Sequence, residues 1–172
     1  MASDAQTVVI RAPNWLGDAV MALPAMAALR RAIHDRSLVV AARPSIAPLF
    51  DEITSAAPDR VLTVERDSEA AMLRGVNADI AILLPNSFRS AWVARQGGIE
   101  NRWGYRAHGR SLLLTRSVKP PRGRRHQSDY YLHLVEAEHV RSDARRINFD
   151  ALTSQPDRPD PAPGEEPGQE RA

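Results

Sequence analysis

A chain of 172 residues, 43 % of them hydrophobic, has room for one compact core and a tail, not for two full domains. It holds no cysteine, which excludes disulfides, thiolate nucleophiles and cysteine-ligated metals and fits a reducing compartment. The net charge is only +2, yet the ten basic side chains from Arg89 to Arg125, opposed by Glu100 alone, leave that stretch at +9, a field that favours anionic partners.

In chain order, MASDAQ lacks the basic-then-apolar pattern of a secretory signal. TVVIRAP (7–13) is β-branched and bounded by proline, the mark of a buried strand. A helix is expected over 19–35, with Ala22, Met26, Leu29 and Ile33 on one stripe and a kink at Pro24. Its apolar run AVMALPAMAAL is too short to cross a bilayer. SLVVAAR (37–43), RVLTV (60–64) and DIAILL (79–84) read as further strands, IAPLFDEI as a short helix or turn, and SEAAMLRGV as another helix. This alternation, with strands apolar on both sides, predicts an α/β fold: a doubly wound, mostly parallel sheet covered on both faces.

SFRSAWVARQ (87–96) fits a helix stopped by Gly97 and Gly98. NRWGYR (101–106) fits a strand with Arg102 and Arg106 on one face and Trp103 and Tyr105 on the other. RSLLLT (110–115) is expected to add one more strand, KPPRGRR a basic loop and SDYYLHLVEAEHV a helix. The domain therefore covers 7–150, and the proline- and acid-rich 151–172 is expected to be a disordered tail.

Ligands of open α/β sheets bind at the carboxyl ends of strands, where this chain has two turns, PNWLGD (13–18) and PNS (85–87). The first lacks the dinucleotide and phosphate-loop glycine patterns, so neither a nicotinamide nor a P-loop enzyme is expected. Gly17 allows close backbone approach to a bound phosphate or sugar. Asp18 reads either as the N-cap of the helix or as a catalytic base, and the two roles are compatible, since a helix N-terminus favours the ionised carboxylate. Asn86 and Ser87 are common caps, but with Arg89 they also form a donor set for a polyhydroxylated anion. Trp92, Trp103 and Tyr105 read as core or strand-packing residues ahead of the alternative, a sugar-stacking platform. His126 stands in a suggestive RRHQSDYY setting but has no second ligand at metal spacing, so no metal site follows.

Taken together, RAPNWLGDAVMALPAMAAL, LLPNSFRSAW, GGIENRWGYRAHGRSLLLT and HQSDYYLHLVEA resemble glycosyltransferase family 9, the lipopolysaccharide heptosyltransferases, and its type II members most of all. The resemblance runs from about residue 7 to 138. It implies the Rossmann-like N-terminal domain of a GT-B enzyme, which takes the sugar acceptor while a second domain takes the nucleotide sugar. The implied reaction moves L-glycero-D-manno-heptose, with inversion and without metal or cofactor, from ADP-heptose to the Kdo-containing lipid A core of a Gram-negative lipopolysaccharide. The family's catalytic aspartate falls on Asp18. Acceptor contacts are assigned to Asn86, Ser87, Arg89, Arg102 and Arg106, beside the backbone at Gly17. Residues 151–172 offer no strand–helix alternation for a donor domain, so the expectation is an acceptor half, inactive alone. The competing reading is a non-catalytic module that binds an anionic glycolipid or regulates a full-length enzyme. Nucleic acid is not an expected partner, because helix-turn-helix, zinc-finger and RNP signatures are absent. The expected location is the cytoplasm, with peripheral contact at the inner face of the inner membrane.

Overall fold

The computed structural model describes residues 6–137, apart from 53 and 124. The expectations for 138–150 and for the tail lie outside these residues. The elements are β1 (Thr7–Arg11), α1 (Leu16–Ala32), β2 (Ser37–Ala42), α2 (Pro48–Asp51), β3 (Arg60–Thr63), α3 (Glu69–Val76), β4 (Ile80–Leu83), α4 (Phe88–Gln96), β5 (Asn101–Tyr105), a 3₁₀ turn (Arg110–Leu112), β6 (Arg116–Val118) and α5 (Gln127–Glu136).

All six strands pair in parallel, in the order β3-β2-β1-β4-β5-β6. The expected doubly wound α/β sheet is therefore present. The period-two alternation of apolar strands divides the core into two layers. Val8, Ile10, Leu38, Val40, Ile80 and Ile82 pack with α1 and α5 on one face, whereas Val9, Val39, Ala41, Ala81 and Leu83 pack with α3 and α4 on the other. Six alanines of α1 (Ala19, Ala22, Ala25, Ala27, Ala28 and Ala32) are buried, and their small side chains let the helix lie close on the sheet and on α5.

Three expectations shift. α1 starts at Leu16, not at 19, ends at Ala32 and stays continuous through Pro24. RSLLLT is not a strand: Arg110–Leu112 turns as a 3₁₀ helix, Leu113 and Leu114 enter the α4-side core, and pairing resumes only at Arg116. The helix after the basic loop begins at Gln127, with His126 as its N-cap, the ring Nδ1 accepting from Ser128 N at 3.3 Å. Among the described residues no helix is long and apolar enough to cross a membrane.

The strand order reverses between β1 and β4. That reversal opens a crevice at their carboxyl ends, between the two helices that leave in opposite directions. Both of the turns singled out above leave the sheet there.

Candidate active site

β1 and β4 stay in register to the Arg11↔Leu83 pair, so residues 12–15 and 84–87 emerge side by side. Ala12 N donates to Ala41 O at 2.9 Å and Leu84 N to Arg11 O at 3.2 Å, which ties both exits to the sheet. Between them lies a cleft of about 290 Å³, lined by Asn14, Trp15, Asp18, Asn86, Ser87 and, from α5, Tyr131. Trp15 on its wall is 76 % exposed, and on α4 Phe88 and Trp92 stack on each other in the open.

Asp18 is not the N-cap. Trp15 holds that place in extended backbone with no side-chain cap bond, and Asp18 is the third residue of α1. The carboxylate is half-buried and makes no hydrogen bond or ion pair with another described residue, so its lone pairs are open to the cleft. The Tyr131 phenol opposite is pushed up by burial, down by its bond to Gln127, and up again by the Asp18 charge, with a net rise. Gly17 is exposed, and a Cβ built there meets no atom within 4 Å, so the backbone of this turn is open to a ligand.

The second turn is held quite differently. Ser87 caps α4, its Oγ accepting from Ser90 N at 3.2 Å. Ser90 Oγ in turn lies 2.7 Å from Ser87 O and 3.1 Å from Pro85 O. Through the turn runs Arg110, which has no exposed surface at all. Its guanidinium donates to Tyr105 O at 2.9 Å, Ser90 Oγ at 3.0 Å, Asn86 Oδ1 at 3.3 Å and the Pro85 carbonyl. Burial pushes its pKa down to about 10, and only the Tyr130 phenol pulls the other way. Asn86 is braced from the opposite end, its Nδ2 donating to Tyr130 Oη at 2.8 Å. Asn86 therefore lines the cleft chiefly as a strut. Sequence reading missed Arg110, although Gly104 signalled it: a Cβ on that strand glycine would stand 2.7 Å from Arg110 Nη2.

The remaining basic residues separate. Arg89 lies beside the cleft, bonded to Arg66 O. Arg106 follows β5 at the carboxyl edge and is exposed, but lines neither the 290 Å³ cleft nor the smaller pocket behind it. The placement of Arg102 corrects its assignment to the acceptor. It sits at the amino end of β5, where its guanidinium binds Leu113 O at 2.7 Å, Glu100 O at 2.8 Å and Ile99 O. Burial, and then the charge of Arg95, lower its pKa. Arg102 and Arg110 thus serve the fold from within, which thins the field that the charge run promises. Trp103 and Tyr105 are core residues as expected, but Trp92 is 43 % exposed. Among the described residues no group of three His, Asp or Glu side chains is placed to hold a metal.

The family model for "Glycosyltransferase family 9 (heptosyltransferase)" matches residues 66–164. No curated protein matches the chain. Among solved structures, the chain is similar to E. coli ADP-heptose LPS heptosyltransferase II, with 25 % identity and a TM-score of 0.62 over 76 % of this chain and 40 % of that one. A glycosyl transferase family 9 structure from Veillonella parvula DSM 2008 gives 19 % and 0.67 over 79 % and 42 %. E. coli heptosyltransferase WaaC with ADP gives 20 % and 0.64 over 76 % and 46 %. The chain therefore spans less than half the length of each.

Proposed function

The chain belongs to glycosyltransferase family 9 (heptosyltransferase), and from that premise we propose that it forms the acceptor side of an inverting heptosyl transfer onto the lipopolysaccharide inner core, of the type II kind. The donor is ADP-L-glycero-D-manno-heptose, presented by the second domain that faces this one in the family. The acceptor is the Kdo-containing lipid A core, reached from the inner face of the inner membrane.

The observation that carries this reading is the position of Asp18. It stands in the first turn of α1, at the strand-order reversal, with its carboxylate open to a cleft large enough for a sugar. There it accepts the proton of the acceptor hydroxyl while that oxygen bonds to the anomeric carbon. The bond from that carbon to the diphosphate oxygen breaks on the opposite face, and ADP leaves with the electron pair. A carboxylate suffices as base because the hydroxyl becomes acidic as the new bond forms. Ser87, Arg89 and the brace through Asn86 position the acceptor.

The test is a transfer assay in which this chain is reconstituted with the donor-binding half of a family 9 enzyme, using ADP-heptose and a Kdo-containing acceptor. Asp18→Asn should lower turnover by about a thousandfold or more while acceptor binding stays within about twofold. Transfer that survives Asp18→Asn would overturn the catalytic assignment. Acceptor binding without transfer by the reconstituted native pair would favour the non-catalytic binding module.

A further inference from the structure

Behind the cleft, on the α3 and α4 side of the sheet, lies a second, much smaller pocket of about 20 Å³. Its walls include Arg11, Asn14, Arg43, Glu69, Ser87 and Arg89. Asn14 and Ser87 also line the Asp18 cleft, so the two spaces share a wall.

Three guanidinium groups and one carboxylate meet here. Glu69 Oε1 takes Arg11 Nε at 2.5 Å, and both side chains are 5 % exposed, so this pair neutralises itself inside the fold. Arg11 also donates to Asn14 Oδ1 at 2.9 Å, and Arg43 Nε reaches the same oxygen at 3.2 Å. The Asn14 oxygen is thus pinned between two cations, which leaves its Nδ2 donor without a partner among the described residues. Arg43 and Arg89 have no carboxylate among those residues, so the pocket keeps two uncompensated positive charges. Arg89 Nε is buried and has no hydrogen-bond partner among the described residues. A buried donor without an acceptor carries its full desolvation penalty, so the site is built for an acceptor that arrives from outside.

We infer that this pocket is an oxyanion seat: it takes the charged oxygens of one acidic substituent on the sugar whose ring occupies the adjoining cleft. Its volume admits about one water-sized group, enough for the oxygen end of a carboxylate or phosphate and too little for a ring. Arg43 and Arg89 grip the anion, the Arg11–Glu69 pair holds the floor, and Asn14 couples seat to cleft. The α4 N-terminus, capped by Ser87, adds a favourable dipole. The acceptor is thereby selected for a negative group at a fixed span from the hydroxyl presented to Asp18. This rests on the acceptor-side reading above.

The test follows the Arg89 Nε–H resonance of the ¹⁵N-labelled chain during titration with free Kdo (a sugar acid), glucose 6-phosphate and, as a neutral control, methyl glucoside at constant ionic strength. A saturable shift with either anionic sugar, absent with the neutral one, supports the seat, and the sugar that produces it tells carboxylate from phosphate. Arg43→Gln should weaken that binding about tenfold or more, with Arg43→Lys intermediate because it keeps charge but loses the fork, and Arg31→Gln, an exposed arginine of α1 that lines neither space, without effect. The seat is overturned if anionic sugars move the resonance no further than the neutral one. It is equally overturned if both Arg43 variants, with native spectra elsewhere, bind as the native chain does. Loss of transfer in Asp18→Asn alongside a silent Arg89 would sink the seat and leave the proposed function standing. A working seat with Asp18 dispensable would do the reverse.

Discussion

The two turns at the strand-order reversal leave neighbouring strands and line one cleft, yet they are built on opposite principles. The turn at 13–18 enters α1 with no side-chain cap bond, an exposed Trp15, an open Gly17 and an Asp18 carboxylate bonded to no other described residue. The turn at 85–90 is capped by Ser87, cross-braced by Ser90 and Asn86, and threaded by a fully buried arginine. The difference fits the division of labour that the proposed function asks of the two turns. A base must keep its lone pairs unused until substrate arrives, whereas groups that orient a sugar work best when their own positions are fixed in advance.

The comparison breaks most forcefully at Arg110. Arg110→Met keeps the volume but leaves the Tyr105 carbonyl without its guanidinium donor and the Pro85 carbonyl with only the Ser90 hydroxyl, at a cost of about 3 kcal/mol in unfolding free energy. Urea denaturation reads that cost directly. If the turn is rigid for the reason given, the backbone amide resonances of 86–90 should move while those of 14–18 stay put.

Gly104→Ala attacks the same clamp from β5. Its Cβ would meet Arg110 Nη2 at 2.7 Å and Leu83 O at 3.3 Å, and the guanidinium, held by five partners, has little room to yield. A loss of about 2 kcal/mol is expected, as for other overpacked interiors, measured by the same denaturation. Ser87→Ala removes one cap bond and should cost about 1 kcal/mol, with faster hydrogen exchange at the Ser90 amide as its local signature.

How much of this was legible in the sequence follows from the range of each interaction. Strands β1 to β4 stood out because burial on both faces leaves apolar runs, and the α1 stripe stood out because Ala22, Met26, Leu29 and Ile33 repeat at helical spacing. The start of α1 was misplaced by three residues because Trp15 carries no capping oxygen: cap chemistry pointed to Asp18, while the backbone had already turned helical at Leu16. The site was half legible. Asp18, Ser87 and Arg89 flank turns that local residues announce, but Arg11 meets Glu69 across 58 positions and Arg110 meets Pro85 across 25, pairings that leave no local pattern. Arg102 misled for the same reason, since a charge run does not reveal which guanidiniums turn inward onto carbonyls.

The mildest change sharpens the comparison from the open side. Gly17 has no atom within 4 Å of a built Cβ and its backbone is outside the left-handed region, so alanine fits without strain. Alanine also narrows the unfolded ensemble, and Gly17→Ala should leave the chain as stable as before or more stable by about 0.5 kcal/mol. If the first turn is open merely because nothing packs there, acceptor affinity will not change. If it is open because the acceptor sugar lies against the backbone at Gly17, the added methyl group occupies that space, and affinity falls about tenfold in a protein of undiminished stability. The two measurements together separate a turn left loose by weak packing from one kept clear for its ligand.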